Sequence, residues 1–247
     1  MTKFAHDEVV PYRESGLNKK EQVARMFDSI AFRYDFMNRF LTAGIDMRWR
    51  KKAIGQLKEI QPKQVLDIAT GTGDVAIMTY EMLHPEKIFG IDISEGMLEL
   101  GRKKLENLHL TGRIELRNGD SEQIPFGDNH FDAITVAFGV RNFENLQKGL
   151  SEMLRVLKPG GKLVVLEFSK PTQPVFRAMC NFYMTVITPG IGRLFAKNKD
   201  AYQYLNNSIQ AFPEGPSFLT ILQEAGFTRT YLKRLSFGIC SIYCGSK

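Results

Sequence analysis

Residues 65–76 read Val65-Leu66-Asp67-Ile68-Ala69-Thr70-Gly71-Thr72-Gly73-Asp74-Val75-Ala76. The apolar run 64–69 has the length of a buried strand, and from Asp74 the apolar positions follow a helical period through residue 83. Gly71 and Gly73 carry no Cβ, so the chain can turn sharply there and a ligand can approach the backbone. The helix that starts near Asp74 points its first N–H groups at whatever sits on that turn. Gly-x-Gly-x-x-Ala alone also serves as a plain tight turn, and two acids sharpen the choice. Asp92 ends a second strand-like run, 87–92, about 20 residues past the glycines, where a carboxylate binds a ribose diol, with Ile93 next to it on the ligand side. Asp67 lies inside the first strand, four residues before Gly71. A carboxylate so near the turn repels a pyrophosphate but suits a ligand carrying a sulfonium and an ammonium group. The pair therefore favours S-adenosylmethionine over NAD. A third run ends in Arg117-Asn118-Gly119-Asp120-Ser121-Glu122. There the Asp120 carboxylate can accept from an adenine amino group, and the N–H after it, on Ser121, can reach a ring nitrogen. As a turn-former after Gly119, Asp120 also has a purely local use.

Outward from this stretch the same two periods alternate. Residues 19–30 and 46–60 read as amphipathic helices, with a shorter piece at 34–41 between them. Downstream, 95–108 is a helix, 113–118 and 131–137 are strands, 145–157 is a helix stopped by Pro159-Gly160-Gly161, and 162–168 is a strand. After Ser169 the rhythm changes: 173–187 and 198–211 are helical with no strand between them, and 217–225 is a helix ended by Gly226. Two strands, 227–235 and 239–245, close the chain, joined at 236–238 by a connection short enough to force antiparallel pairing. Strands alternating with helices demand a parallel sheet with right-handed crossovers. The expected fold is α/β and Rossmann-like: seven strands, the last antiparallel, with an N-terminal helical cap over 1–61. The cap precedes a single catalytic domain, 62–247, carrying a helical insertion at about 171–216 after the fifth strand.

Composition narrows the function classes. A chain of 247 residues with 43% hydrophobic and 24% charged residues is one globular domain with extensions. Cys180, Cys240 and Cys244 cannot make a disulfide framework, no Cys and His cluster has metal-site spacing, and the first residues show no apolar leader. The expectation from these features is a reduced, cytoplasmic compartment and no metal. The least polar stretch, 178–192, is broken by Pro189 and Gly190 and is too short to span a bilayer. The net charge of +6 divides into +4 over 1–61, −3 over 62–170 and +5 over 171–247. Basic flanks beside an apolar segment fit an anionic membrane surface, and equally a solvated basic surface. An acidic centre and the lack of an Asn-Pro-Pro-Tyr-type motif disfavour a nucleic-acid partner. Asp67 and the terminal antiparallel pair disfavour a dinucleotide oxidoreductase, and the intact Gly71, Gly73 and Asp92 disfavour a scaffold with a dead site.

The stretch from Val65 to Leu166 resembles the class I S-adenosylmethionine-dependent methyltransferases. More narrowly, the chain resembles the ubiquinone/menaquinone biosynthesis C-methyltransferases. Four segments carry the narrower likeness: Tyr34-Asp35-Phe36-Met37-Asn38 through Trp49; Phe138-Gly139-Val140-Arg141-Asn142; Arg155 through Ser169; and Tyr202-Gln203-Tyr204-Leu205 through Ser208-Ile209. The family often has Ser and His where this chain has Thr42 and Asp46, an Asn-Ala pair at Asp120-Ser121, and in some members a Ser at Ala137. Ala137 therefore takes no cofactor role, whereas Asp120 keeps an acceptor for adenine. The resemblance implies cofactor contacts at Thr72, Asp92, Asp120 and Ser121, and the ring of a prenylated quinol as acceptor. The expected reaction is C-methylation of demethylmenaquinol to menaquinol. A dual ubiquinone/menaquinone enzyme, or a methyltransferase acting on another small or lipidic molecule, stands as the alternative.

Methylating an aromatic carbon needs an electron-rich ring aligned with the methyl group, and a deprotonated hydroxyl supplies the electrons. Arg141, past the fourth strand at the ligand-binding edge, is expected to stabilise the phenolate, with Asn142 orienting a hydroxyl or water. Pairing of Arg141 with a structural carboxylate is the competing expectation. His6, His84, His109 and His130 read as surface residues, and Tyr34, Asp35 and Asp46 sit in the cap without an assigned role. A long prenyl tail stays in the bilayer, so the protein should dock there and draw in the head group. Residues 175–195, with Phe176, Met179, Phe182, Tyr183, Met184, Val186, Ile187 and Phe195, are expected to line that entry, with Arg193, Lys197 and Lys199 meeting anionic lipid. A homodimer surface is the other use for those aromatics.

Overall fold

Side chains along each strand point alternately to the two faces of a sheet, and this sorts the core into two layers. In the computed structural model, which describes residues 4–12, 14–174, 176, 178 and 199–247, the strands are β1 Gln64–Ile68, β2 Lys87–Asp92, β3 Ile114–Asn118, β4 Phe131–Ala137, β5 Leu157–Phe168, β6 Thr228–Leu235 and β7 Cys240–Ser246. Leu66, Ile134, Leu163 and Val165 face one layer, where they meet Leu150 and Met153 of α5 (Leu146–Val156) and Phe218 and Leu222 of a later helix, Pro216–Glu224. Val65, Ala133, Val164 and Leu166 face the other, against Trp49 and Ala53 of α2 (Ile45–Ile54), Ala76 and Ile77 of α3 (Asp74–Leu83), and Leu98 and Leu105 of α4 (Glu95–Asn107).

The strands lie in the order β3-β2-β1-β4-β5-β7-β6. β1 to β5 pair in parallel, while β7 is antiparallel both to β5 and to β6. The expected seven strands with an antiparallel last strand are found. The order reverses between β1 and β4, so the crevice at their carboxyl ends is where an open α/β sheet receives a ligand.

Three local differences have physical causes. Residues 19–41 form one helix, α1 (Lys19–Leu41), rather than two pieces. Residues 31–33 hold no Gly or Pro, and Phe32 breaks the apolar pattern only because it stands 89% exposed on the outer face. The N-terminus of α1 is fixed by a capping box, with Asn18 accepting from the Glu21 N–H. The 46–60 helix ends at Ile54 and continues as a 3-10 turn, Gly55–Ile60. The fifth strand begins at Leu157, ahead of the Pro159-Gly160-Gly161 punctuation, and the register shift against β4 between Phe131 and Ala133 absorbs the extra residues as a bulge.

In the C-terminal part, α6 spans Lys199–Ala211 and α7 Pro216–Glu224. Most of the expected 173–187 helix and of the 175–195 entry segment, together with Cys180, Arg193 and Lys197 and the side chain of Lys199, lies outside the described residues. Of that segment's aromatics Phe176 is described, stacked on Phe237 with ring centroids 4.2 Å apart. Cys240 and Cys244 are free and buried. Among the described residues no cluster of His, Cys, Asp or Glu could hold a metal ion, and no helix is long and apolar enough to cross a membrane. His6 departs from its expected surface position. It is 0% exposed, stacked on Phe4 and edge-on to Phe212, while His84, His109 and His130 are exposed.

Candidate functional site

The turn after β1 takes its shape from positive backbone angles. Gly71 has φ +56° and Gly73 φ +80°, a region that L side chains avoid. Ala69 and Phe138, at the ends of β1 and β4, adopt φ of 53° and 59° without being glycine. Both line a cavity at the carboxyl edge of the sheet. Strain of this kind is held by surrounding packing and gathers at functional sites. Gly71, Asp92, Ile93, Asp120, Ser121 and Asn142 line the same cavity, with Val23, Phe27 and Tyr34 of α1 over it. The sequence places these residues on five separate segments, and the sheet brings them together.

Asp92 organises the centre. Its Oδ2 accepts from the Gly71 N–H at 2.8 Å and its Oδ1 from the Ser94 N–H at 2.9 Å. Burial pushes its pKa up and these N–H groups hold it down, with burial prevailing. A carboxylate offers about four lone-pair positions, so two donors leave acceptor capacity for a diol. At the next strand end, the Asp120 Oδ1 accepts from the Glu122 N–H at 2.8 Å. Its Oδ2 takes the Lys20 ammonium of α1 at 2.7 Å, and the same ammonium reaches the buried Glu122 at 2.8 Å. Burial lowers the Lys20 pKa, but the bonds to Asp120 and Glu122 outweigh it and raise the value. Ile91, Ile93, Met97 and Phe143 give the cavity apolar walls.

Three expected site residues stand elsewhere. The Asp67 carboxylate is 1% exposed and bound by the hydroxyls of Thr70 and Thr135, both at 2.6 Å. It stands behind the residues that line the cavity, where it holds the turn through Thr70. Burial, opposed by those two hydroxyls, lifts its pKa to about 6. The Thr72 hydroxyl turns to α1, donating to Asp35 at 2.8 Å and accepting from Lys104 at 2.9 Å. Gly73 packs under the turn, where a Cβ would stand 3.3 Å from Leu116. Lys104 also reaches Asp74 at 2.7 Å, and with Arg39 it pulls the Asp74 pKa down against the opposing effect of burial.

Arg141 and Asn142 form a short 3-10 turn, Val140–Asn142, after β4. Asn142 lines the cavity; Arg141 does not. The Arg141 guanidinium is buried and pairs with the fully buried Glu167 of β5 at 2.8 Å, the structural carboxylate that had been the competing expectation. Burial raises the Glu167 pKa, opposed chiefly by Arg141. The ion pair takes one nitrogen of the guanidinium and holds Arg141 behind the residues that line the cavity. Lys20, Asp28, Lys104, Glu122 and Glu167 were not singled out from the sequence. Nothing local marks them, since their partners are 100, 66, 32, 102 and 26 residues away in the chain. Asp46, read in the cap, bonds Thr42 at 2.8 Å and pairs with Arg50 at 3.5 Å.

The sequence profile of the ubiE/COQ5 methyltransferase family matches residues 16–247. A demethylmenaquinone methyltransferase from Bacteroides fragilis is 46% identical over 244 residues, 99% of each chain. A ubiquinone/menaquinone biosynthesis C-methyltransferase UbiE from Geobacter sulfurreducens is 45% identical over 230 residues, 93% of this chain and 90% of its own. Among solved structures, the [4+2]-cyclase SpnF superposes with a TM-score of 0.68 at 16% identity, covering 92% of this chain and 96% of that one. An S-adenosylmethionine-dependent methyltransferase from Aquifex aeolicus superposes at 0.54 and 22% identity, covering 74% of this chain and 81% of that one. At these identities the two structures speak to the fold alone.

Proposed function

The chain belongs to the ubiE/COQ5 methyltransferase family, and from that membership we propose that it methylates a ring carbon of demethylmenaquinol to give menaquinol. S-adenosylmethionine is the methyl donor of the family, and it supplies an electrophilic methyl group on a sulfonium. The observation that carries the reading is the convergence of Gly71, Asp92, Asp120 and Ser121 on one cavity that continues to Phe138–Asn142. The Asp92 carboxylate is suited to a ribose diol, and Asp120 with the Ser121 N–H to an adenine edge. Asp67 holds Thr70, and with it the turn. Gly139 and Asn142, past β4, line the same cavity, and the ring is assigned to their side of it.

The chain's own contribution to the transfer is alignment and electrostatics. Asn142 has a side-chain Oδ1 with no hydrogen-bond partner among the described residues, an acceptor for a ring hydroxyl. Arg141, held by Glu167, places positive charge behind that position, where a phenolate would gain from it. The ring carbon bonds the methyl group as the C–S bond breaks and its electron pair stays on sulfur, and the ring regains aromaticity by releasing that carbon's proton to water.

The acceptor carries a prenyl chain worth about 0.8 kcal/mol of membrane preference per buried CH₂, so the site must meet it at a bilayer. Phe32 and Phe36 stand 89% and 60% exposed on α1, and Arg25 and Arg33 are exposed on the same helix. This composition suits a peripheral contact with anionic lipid at the cytoplasmic face.

The test is methyl transfer from labelled S-adenosylmethionine, with reduced demethylmenaquinone and reduced 2-methoxy-6-prenylbenzoquinone compared in detergent. Transfer to the naphthoquinol is expected. Transfer to both would make this a dual quinone enzyme, and transfer to neither, with donor binding intact, would overturn the substrate.

A further inference from the structure

The segment Tyr202-Gln203-Tyr204-Leu205 has no part in the site described so far. It lies on α6, which rests against the Val140–Asn142 turn. Tyr204 is 3% exposed, and its hydroxyl has no hydrogen-bond partner among the described residues. Burial raises the phenol's pKa, and the residue lies in the fields of both Arg141 and Glu167. Three more buried atoms around that pair are equally unpartnered among the described residues: Arg141 Nε, Glu167 Oε2 and Asn142 Oδ1.

Buried polar groups in native proteins are paired, and a cluster of orphans marks a missing partner. This cluster offers a guanidinium donor, two carbonyl-type acceptors and one phenol. A ring hydroxyl accepts from the guanidinium or the phenol and donates its one proton to one of the acceptors, whereas a carbonyl, which only accepts, fills neither acceptor. The cluster adjoins the cavity. Asn142 lines it, and Tyr34, another lining residue, lies in the fields of both Arg141 and Asp92.

We propose that Tyr204 is an acceptor-binding residue, whose hydroxyl donates to a ring oxygen of the quinol, and that the orphaned set around it selects the reduced ring over the oxidised one. The assignment rests on the function proposed above. Its position on α6 makes the C-terminal helical region part of the acceptor site.

The test is Tyr204→Phe in the full chain. It uses initial rates with reduced demethylmenaquinone at saturating labelled S-adenosylmethionine, donor affinity by calorimetry, and thermal unfolding. The expected result is a KM for the quinol raised about 10-fold, as for the loss of one hydrogen bond in a dry site, with donor affinity unchanged. The Tm should hold or rise, because the variant removes a buried hydroxyl that lacks a partner. A lower Tm with weakened donor binding would assign Tyr204 to packing and overturn the proposal. An unchanged KM would overturn it too, leaving a buried water as the occupant of the cluster. A wild-type protein that methylates neither quinol would overturn the substrate reading, and this assignment with it. That outcome is read on the wild type alone, so the two failures are distinguishable.

Discussion

The Lys20 ammonium sits 2.7 Å from the Asp120 carboxylate and 2.8 Å from that of Glu122, so the first turn of α1 reaches across the mouth of the proposed adenine pocket. Asp120 thus serves two partners, while Glu122, 4% exposed, has Lys20 as its cation. Asp120→Ala should weaken S-adenosylmethionine binding about 10-fold, the loss of one charge-assisted bond. Lys20→Met should leave that affinity within about 3-fold but lower the Tm by roughly 5 °C, since Glu122 keeps its burial and loses its counter-charge. Calorimetric titration and thermal unfolding separate the two effects. Equal losses of affinity in both variants would mean that Lys20 itself meets the ligand.

Asp92 ties the Gly71 turn to the start of α4 through two N–H groups, and it is the proposed diol acceptor. Asp92→Ala removes all three functions, and the Kd for the donor should rise 100-fold or more, about 2.8 kcal/mol. A change below 5-fold, with the fold intact by circular dichroism, would place the ribose elsewhere.

Arg141 and Glu167 are both buried, so removing one strands the other. Breaking such a pair costs about 3–5 kcal/mol, and Arg141→Ala should lower the Tm by roughly 10 °C in a protein of this size. Turnover should fall far more than donor affinity. The double variant Arg141→Met, Glu167→Leu should recover much of the Tm without recovering turnover. A double variant no more stable than the single would show that the two charges do not stabilise each other.

Buried His6 gives the protein an acid limit. Burial first, and the Lys19 ammonium second, depress its pKa from the ordinary 6.5 to about 3. Between these values the unfolded chain binds a proton that the folded one refuses. The stability is therefore complete above pH 6.5 and is lost as the pH falls toward 3. Asp67, raised to about 6, contributes the opposite slope between its ordinary 3.8 and 6. His6→Phe, packed between Phe4 and Phe212, isolates the histidine. Its Tm relative to wild type should improve by several degrees from pH 7.5 to pH 5. A constant difference would mean that His6 is already solvated.

If α1 docks on the bilayer, Phe32→Ser with Phe36→Ser should abolish flotation with anionic vesicles while detergent-phase turnover stays near wild type. Flotation unchanged by the substitutions would remove this face from contact, and a change in mass by light scattering would point to a second copy as its partner.

What the sequence makes legible is local. The turn at Gly71 and the acid at Asp92 announce themselves, since each is fixed by spacing along one βα unit, and the terminal hairpin follows from the short joint at Ser236–Gly238. The rest depends on contacts made across the fold. That Asp67 binds Thr70 and Thr135 is set by the turn and by the pairing of β1 with β4, and no spacing within one strand encodes it. Arg141 reads as a site residue because it follows β4 at the ligand edge. The carboxylate that captures it arrives on the neighbouring strand. His6 looks like a surface residue until Phe212, 206 positions on, covers it.

The two sides of α1 are unlike. Toward α6 it presents Val23 and Met26, which share an apolar cluster with Ala201 and Tyr204. Toward the strand ends it presents Lys20, Asp28, Asp35 and Arg39, each bound to a polar partner. Dissolved ions screen the second kind of contact, and excluded ions such as sulfate tighten the first. One helix therefore has a seam that loosens with ionic strength and another that does not, and Lys20 of the loosening seam lines the proposed donor pocket.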